Sequence, residues 1–146
     1  MKWFLQLLSD LFSSSQGDGL SDYFSDDELK CKGSGIVKLD PRFEKALLDF
    51  RIKWNKPMRV NSCCRSLKHN KKIGGASRSY HLFEGVDDGR KGTLAIDIRV
   101  SNGQKRQDMI ELAWSLGWSI GEYKTFIHMD RRIDVGAKQI KFKGKY

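Results

Sequence analysis

The chain has 146 residues, enough for one domain with a modest core, and its 39% hydrophobic and 31% charged residues exclude a disordered or fibrous protein. Its 27 Lys and Arg against 18 Asp and Glu give a formal charge of +9, which favours a polyanionic partner: nucleic acid, anionic lipid or an acidic cell-wall polymer. Three cysteines, Cys31, Cys63 and Cys64, exclude a four-thiolate zinc knuckle by count and leave either one disulfide from Cys31 or buried free thiols.

At the start of the chain, Trp3, Phe4, Leu7, Leu8, Leu11 and Phe12 fall at helical spacing. Asp10 interrupts the apolar run and no small-x-small cleavage site follows, so residues 1–20 read as an amphipathic segment and linker that docks weakly on the domain, a partner or a membrane surface. A single folded domain is expected over residues 21–146, as a monomer. Ser25 with Glu28 three residues later is a capping-box pattern that predicts a short helix from Asp26 to Lys30. Asp40 as cap and Pro41 at the first helical position open the next helix, which aligns Phe43, Leu47, Phe50 and Trp54 on one face.

"PMRVNS" reads as an extended segment ending in a turn, and "RSLKHNKKIGG" as a short helix or loop closed by Gly74 and Gly75. "TLAIDIRV" is nearly continuous in apolar, β-branched residues and predicts a central strand. "GQKRQDMIELAWSLG" predicts a helix with Met109, Ile110, Ala113, Trp114 and Leu116 at helical spacing, stopped by Gly117. "WSIGEYKTFIHMDRR" predicts two short strands joined by a turn over Glu122–Thr125, and the tail "KQIKFKGKY" reads as solvated basic surface. The series implies an α+β domain, a small antiparallel sheet flanked by helices. No basic helix reads as a groove reader, so no specific nucleic-acid partner is expected.

Of the three histidines, His69, His81 and His128, two fall in informative places. His81 follows Ser79 in a turn, and His128 lies in the apolar run "FIHMD". Asp97 sits inside "LAIDIRV", where a carboxylate is costly to bury unless it is paired or bound to metal. Taken singly, Asp97 reads equally as a partner of Arg99 and His128 as a satisfied core residue. Together with the Ser-x-His turn, the three compose a metal site, because catalytic zinc takes about three His or carboxylate ligands and keeps one position open.

In order along the chain, "FSDDELKCKGSG", "VNSCCRS", "HNKKIGGASRSYH", "LAIDIR" and "GEYKTFIHMD" resemble the D-alanyl-D-alanine carboxypeptidase and murein endopeptidase group of zinc peptidases, related in fold to the hedgehog signalling domain. The resemblance covers about residues 23 to 131. It implies one Zn2+ per chain held by His81, Asp97 and His128, and an arginine, Arg65, that binds substrate and stabilises the oxyanion. It gives Ser79 and Asn70 a part in shaping the turn or contacting substrate. The implied substrate is a peptidoglycan peptide. The implied setting is an enzyme made in the cytoplasm without a signal peptide and released at lysis to act on the bacterial cell wall, as in a bacteriophage. The competing implication is a non-catalytic, hedgehog-like zinc module.

Two departures from the family pattern stand out. The family spaces its first His and Asp seven apart, whereas Asp97 lies sixteen after His81; removing "EGVDDGRKG" restores the spacing but puts Thr93 where the family has Gly. This insert suits an exposed excursion, a lid over the cleft. Several relatives carry a Glu or Asp three residues before the last ligand, where this chain has Thr125. Asp130 is then the expected catalytic base or the partner of a ligand histidine, with Glu122 as the alternative base.

Overall fold

A computed structural model describes residues 18–144, so the expected amphipathic helix at the start of the chain lies outside the described residues. After a 3-10 turn, Leu20–Asp22, the elements are α1 (Asp26–Leu29), α2 (Pro41–Trp54), β1 (Arg59–Ser62), α3 (Leu67–Lys72), β2 (Ala95–Arg99), α4 (Gln104–Ser115), β3 (Ser119–Glu122), β4 (Phe126–Asp130), a 3-10 turn (Arg132–Val135) and β5 (Lys141–Lys143). The Ser25–Glu28 capping box forms, with Oγ of Ser25 accepting from Glu28 N and Oε1 of Glu28 accepting from Ser25 N. Asp40 caps α2 by accepting from Arg42 N at 2.9 Å, with Pro41 in the first turn. Among the described residues no helix is long and apolar enough to cross a membrane.

The five strands form one sheet in the order β1-β2-β4-β3-β5. Three neighbouring pairs run antiparallel, and β5 joins β3 in parallel, so the sheet is mixed rather than wholly antiparallel. The reason is topological. β4 already has β2 and β3 on its two sides, and the chain leaves it beside the start of β3, so the returning segment fills the free edge in β3's direction.

Alternation gives the sheet two unlike faces. Ile96, Ile98, Ile120, Ile127 and Met129 point to the core, where they meet Phe43, Leu47, Phe50 and Trp54 of α2 and Met109, Ile110 and Ala113 of α4, all buried. Trp118 packs edge-on to Phe43 at 5.8 Å and Phe50 at 6.3 Å. Truncating such a buried aromatic to Ala costs about 3–5 kcal/mol. α4 departs from the expected face: Trp114 is 37% exposed, and Arg106 takes a fully buried place instead. The guanidinium of Arg106 donates to the carbonyls of Val100, Lys124 and Phe126, tying the β3–β4 turn to the end of β2. All three cysteines are buried free thiols, with Cys31 Sγ accepting from Ser66 N rather than bridging a neighbour.

Candidate metal centre

The opposite face of the sheet carries the polar strand residues. Asp97 lies directly across from His128, and Gly121 from His128 on the other side, so the register places them on one face with Ile98, Ile127 and Glu122 turned the other way. His81 arrives from the loop after α3. Its carbonyl accepts from Arg65 N at 3.0 Å and from Thr93 Oγ1 at 2.9 Å, and its N–H is held by Ser79 Oγ at 3.2 Å. Thr93, standing in place of the family glycine, thus has a use here: its hydroxyl fixes the backbone of His81.

Three donor atoms converge. His81 Nε2 and His128 Nδ1 each lie 3.0 Å from Asp97 Oδ1, and the ligand atoms of the three residues are all within 4.8 Å of one another. The remaining ring nitrogens are spoken for: His81 Nδ1 donates to the Cys63 carbonyl at 2.7 Å, and His128 Nε2 donates to Asp130 Oδ2 at 2.8 Å. These partners set the tautomer that turns Nε2 of His81 and Nδ1 of His128 inward.

The three groups differ in charge. Burial drives the His81 pKa below its usual value despite the Asp97 carboxylate, so His81 is neutral and its inward lone pair faces a carboxylate oxygen. Asp97 resists burial and is held well below the carboxylate range by His81 and His128, so it is charged. His128 behaves differently. Burial opposes its protonation, but hydrogen bonds from both of its ring nitrogens, to Asp130 and to Asp97, lift its pKa to about 9. A two-histidine, one-carboxylate set with bonds of about 2.0–2.2 Å and one open position is a fit for zinc.

Arg65 stands beside the three, its guanidinium 3.6 Å from Asp97 Oδ2 and braced by Ser62 Oγ and, at 3.5 Å, by Asn70 Oδ1. Asn70 is buried and donates to the Ala76 carbonyl, so it shapes the turn and props Arg65. Asp130 is fully buried. Its Oδ2 accepts from His128 and from Arg132 Nη2 at 2.7 Å, and its Oδ1 accepts from Arg132 N and Nε, both at 3.0 Å. Of the two roles expected for it, this geometry is that of the partner to His128, since neither oxygen is left for a proton from the cleft. Glu122 points to the core face, 3.9 Å from Arg106 Nη1, and does not reach the site. His69 lies in α3 and has no part in the cluster.

The centre opens into a cleft of about 490 Å³ whose walls include Arg78, Tyr80, Tyr123, Arg132 and Phe142. Sequence reasoning passed over these residues. Gly-x-Tyr at the end of β3 carried a usable signal, because alternation puts Tyr123 on the side of Gly121, and so did Phe142, since "IKFK" alternates apolar and polar at the period of a half-buried strand. The insert of residues 84–92 contributes nothing to the cleft lining and is not a lid. A larger cavity of about 790 Å³ lies where β1 and β2 meet the start of α4, and it holds none of the ligand residues.

A buried His, Asp, His centre with an arginine at its open side, on one face of an α+β sheet, has the donor set of a mononuclear zinc hydrolase. The sequence profile of the peptidase M15 family matches residues 22–130, three quarters of the chain and all three ligand positions, and the protein belongs to that family of zinc peptidases, which includes D-Ala-D-Ala carboxypeptidases. Neither curated proteins nor solved structures give a match.

Proposed function

We propose that the protein is a zinc-dependent peptidase that hydrolyses peptide bonds in peptidoglycan stem peptides or their cross-links, of the D-Ala-D-Ala carboxypeptidase or endopeptidase type. The observation that carries this reading is the convergence of His81 Nε2, Asp97 and His128 Nδ1 beside Arg65 at the floor of an open cleft. When bound, zinc supplies a Lewis acid that activates water and polarises the scissile carbonyl. Arg65, made less basic by burial yet still a cation at neutral pH, offers a fork of N–H donors to that carbonyl oxygen or to a substrate carboxylate. Asp130 holds His128 in register, and Arg132 holds Asp130. Three arginines on the walls, Arg65, Arg78 and Arg132, suit a peptide rich in carboxylates, and the +9 charge favours retention on an anionic wall. Action on the wall after release at lysis is part of the same proposal.

The second reading, a non-catalytic zinc module, draws on one observation: Asp97 is the sole carboxylate among the residues lining the cleft. One experiment separates the two. Metal content is measured for wild type and for His81→Ala, Asp97→Ala and His128→Ala, and the zinc-loaded wild type is then incubated with purified muropeptides ending in D-Ala-D-Ala and with cross-linked dimers. About one zinc per chain, lost in each variant, together with cleavage of either substrate supports the peptidase. Zinc without cleavage leaves the module, and absence of zinc in the wild type removes both.

A further inference from the structure

We propose that Tyr123 is a further catalytic residue, whose phenolic O–H joins Arg65 in donating a hydrogen bond to the carbonyl oxygen of the scissile peptide as that oxygen gathers negative charge. This rests on the peptidase reading of the same cleft. In this step water's oxygen bonds to the carbonyl carbon, the C=O pair moves onto oxygen, and Tyr123 keeps its proton throughout; in the later collapse the C=O pair re-forms, the C–N bond breaks, and the amine leaves with a proton that the attacking water brought.

Strand alternation aims the side chain. Glu122 pairs with Ile127 on the core face, so Tyr123, one residue on, returns to the face that carries His128, and it lines the cleft with Arg65, His81, Asp97 and His128. The ring has no freedom to leave. It stacks on Phe126 with centroids 4.5 Å apart and planes within 6°, and Phe142 meets it edge-on at 6.5 Å. Gly144 packs so closely on the ring that a Cβ there would overlap it, and Gly144 N is anchored to the Glu122 carbonyl at 2.8 Å. From below, Arg106 fixes the carbonyls of Lys124 and Phe126, and Tyr123 N donates to Phe126 O at 3.0 Å, so the turn itself is rigid.

A clamped ring with an unused hydroxyl is a positioned donor. The Tyr123 hydroxyl makes no hydrogen bond to any of the described residues, while Tyr80, the cleft's other tyrosine, has its ring engaged by the guanidinium groups of Arg90 and Arg132. Burial and then the nearby Asp97 carboxylate raise the Tyr123 pKa, which keeps the phenol protonated and able to donate. Asp130 is sealed and Glu122 faces the core, so no carboxylate competes for this place. Two donors in one cleft, Arg65 and Tyr123, are what a developing oxyanion needs, and removing one costs about 10²–10³ in rate.

The test uses the full chain, zinc-loaded, with Tyr123→Phe, which keeps the stacked ring and removes only the hydroxyl. Zinc content, thermal midpoint, kcat and KM on the muropeptide that wild type cleaves, and calorimetric affinity for a phosphinate analogue of that peptide and for its product are compared. The inference expects kcat to fall about 100-fold, KM to stay within about twofold, and phosphinate affinity to drop with kcat while product affinity, zinc content and midpoint hold. Wild-type kcat and phosphinate affinity in Tyr123→Phe overturn the role of Tyr123 and leave the peptidase reading standing. A loss of zinc or of thermal stability with the loss of rate overturns it in favour of a structural tyrosine. A zinc-loaded wild type that cleaves no muropeptide overturns both.

Discussion

The insert of residues 84–92 and the tail of residues 131–144 exchange the places their compositions suggest. The insert, rich in glycine and acids, looks like a mobile cover for the cleft; it is instead a bracket behind the His81 loop, outside the cleft lining. Lys91 N donates to Asp40 Oδ2 at 2.9 Å, Gly89 O accepts from Arg42, and Gly92 lies against the Lys38–Asp40 backbone with no room for a Cβ. Arg90, paired with Asp88, donates to the carbonyls of Ser79 and Leu82 on either side of His81. The tail, which looks like solvated basic surface, adds a strand and sets Phe142 over Gly121 and 6.0 Å from the His128 ring. Arg132 from the same segment locks Asp130. Thus the insert serves His81 and the tail serves His128, and composition misjudges both because it records solubility rather than hydrogen-bond destinations.

The largest effect expected is on the insert. Arg90→Met removes a nearly buried guanidinium, strips Asp88 of its charged partner and leaves the Leu82 carbonyl without a donor, at a cost of about 3 kcal/mol in denaturant unfolding. An unchanged midpoint would mean the insert is decoration. The division between the two histidines is tested next. His128 on the tail side, with both ring nitrogens hydrogen-bonded to carboxylates, is an imidazolium in the metal-free protein up to about pH 9, whereas His81 is neutral. Zinc must displace that proton, so apparent zinc affinity rises about tenfold per pH unit from pH 7 toward 9 and then levels. Competition with a chelator of known affinity reads this directly, and a flat profile after correction for the chelator places His128 outside the ligand set.

Acid gives the next effect, confined to the insert's anchor. Burial would raise the Asp40 pKa, but hydrogen bonds from Arg42 and Lys91 N lower it to about 2. A depressed folded-state pKa contributes stability that is present above the unfolded value near 4 and is lost as pH falls toward 2. Asp40→Asn is therefore expected to be about 2 kcal/mol less stable at pH 6 and to close that gap by pH 2.

α2 was legible because a cap, a proline and a four-residue apolar face agree, and β2 because a carboxylate inside a β-branched run demands a partner. The three candidate ligands followed from that cost and from the ordered series of family motifs, in spite of an insert that breaks the family spacing. Glu122 was not legible, because a turn placed at Glu122–Thr125 leaves open which face Glu122 takes, and a shift of one residue in strand register reverses it. Arg106 was hidden for another reason: its acceptors are three backbone carbonyls distant in sequence, which no local pattern announces. Phe142 became a site residue only through the parallel pairing of β5 with β3, a long-range contact that alternation in "IKFK" does not specify.

On the tail, Phe142→Ala tests the wall without touching the metal. The ring is half-buried, so stability changes little, by about 1 kcal/mol, while substrate loses an apolar surface. We expect kcat/KM to fall about tenfold through KM, about 1.4 kcal/mol, with zinc content unchanged. Zinc loss in this variant would show that the tail holds the centre together rather than shaping its opening.

The smallest effect belongs to the charges that flank Phe142. Lys141 and Lys143 point outward from β5, and neither forms an ion pair among the described residues; Lys141 Nζ rests 4.6 Å over the Trp114 ring. Charges so exposed act at a distance, by raising the local concentration of an anionic substrate, and they are screened beyond about 8 Å at physiological salt. The double variant Lys141→Gln, Lys143→Gln is therefore expected to lower kcat/KM on intact cell walls by about threefold at low salt, and to equal wild type at about 0.5 M salt, where the screening length shrinks toward contact distances. A short soluble muropeptide, with few charges to attract, should show less than half of this effect at any salt. A deficit that persists at high salt would mean that these lysines touch the substrate, and the tail would then be a binding strand in its own right as well as the wall that carries Phe142.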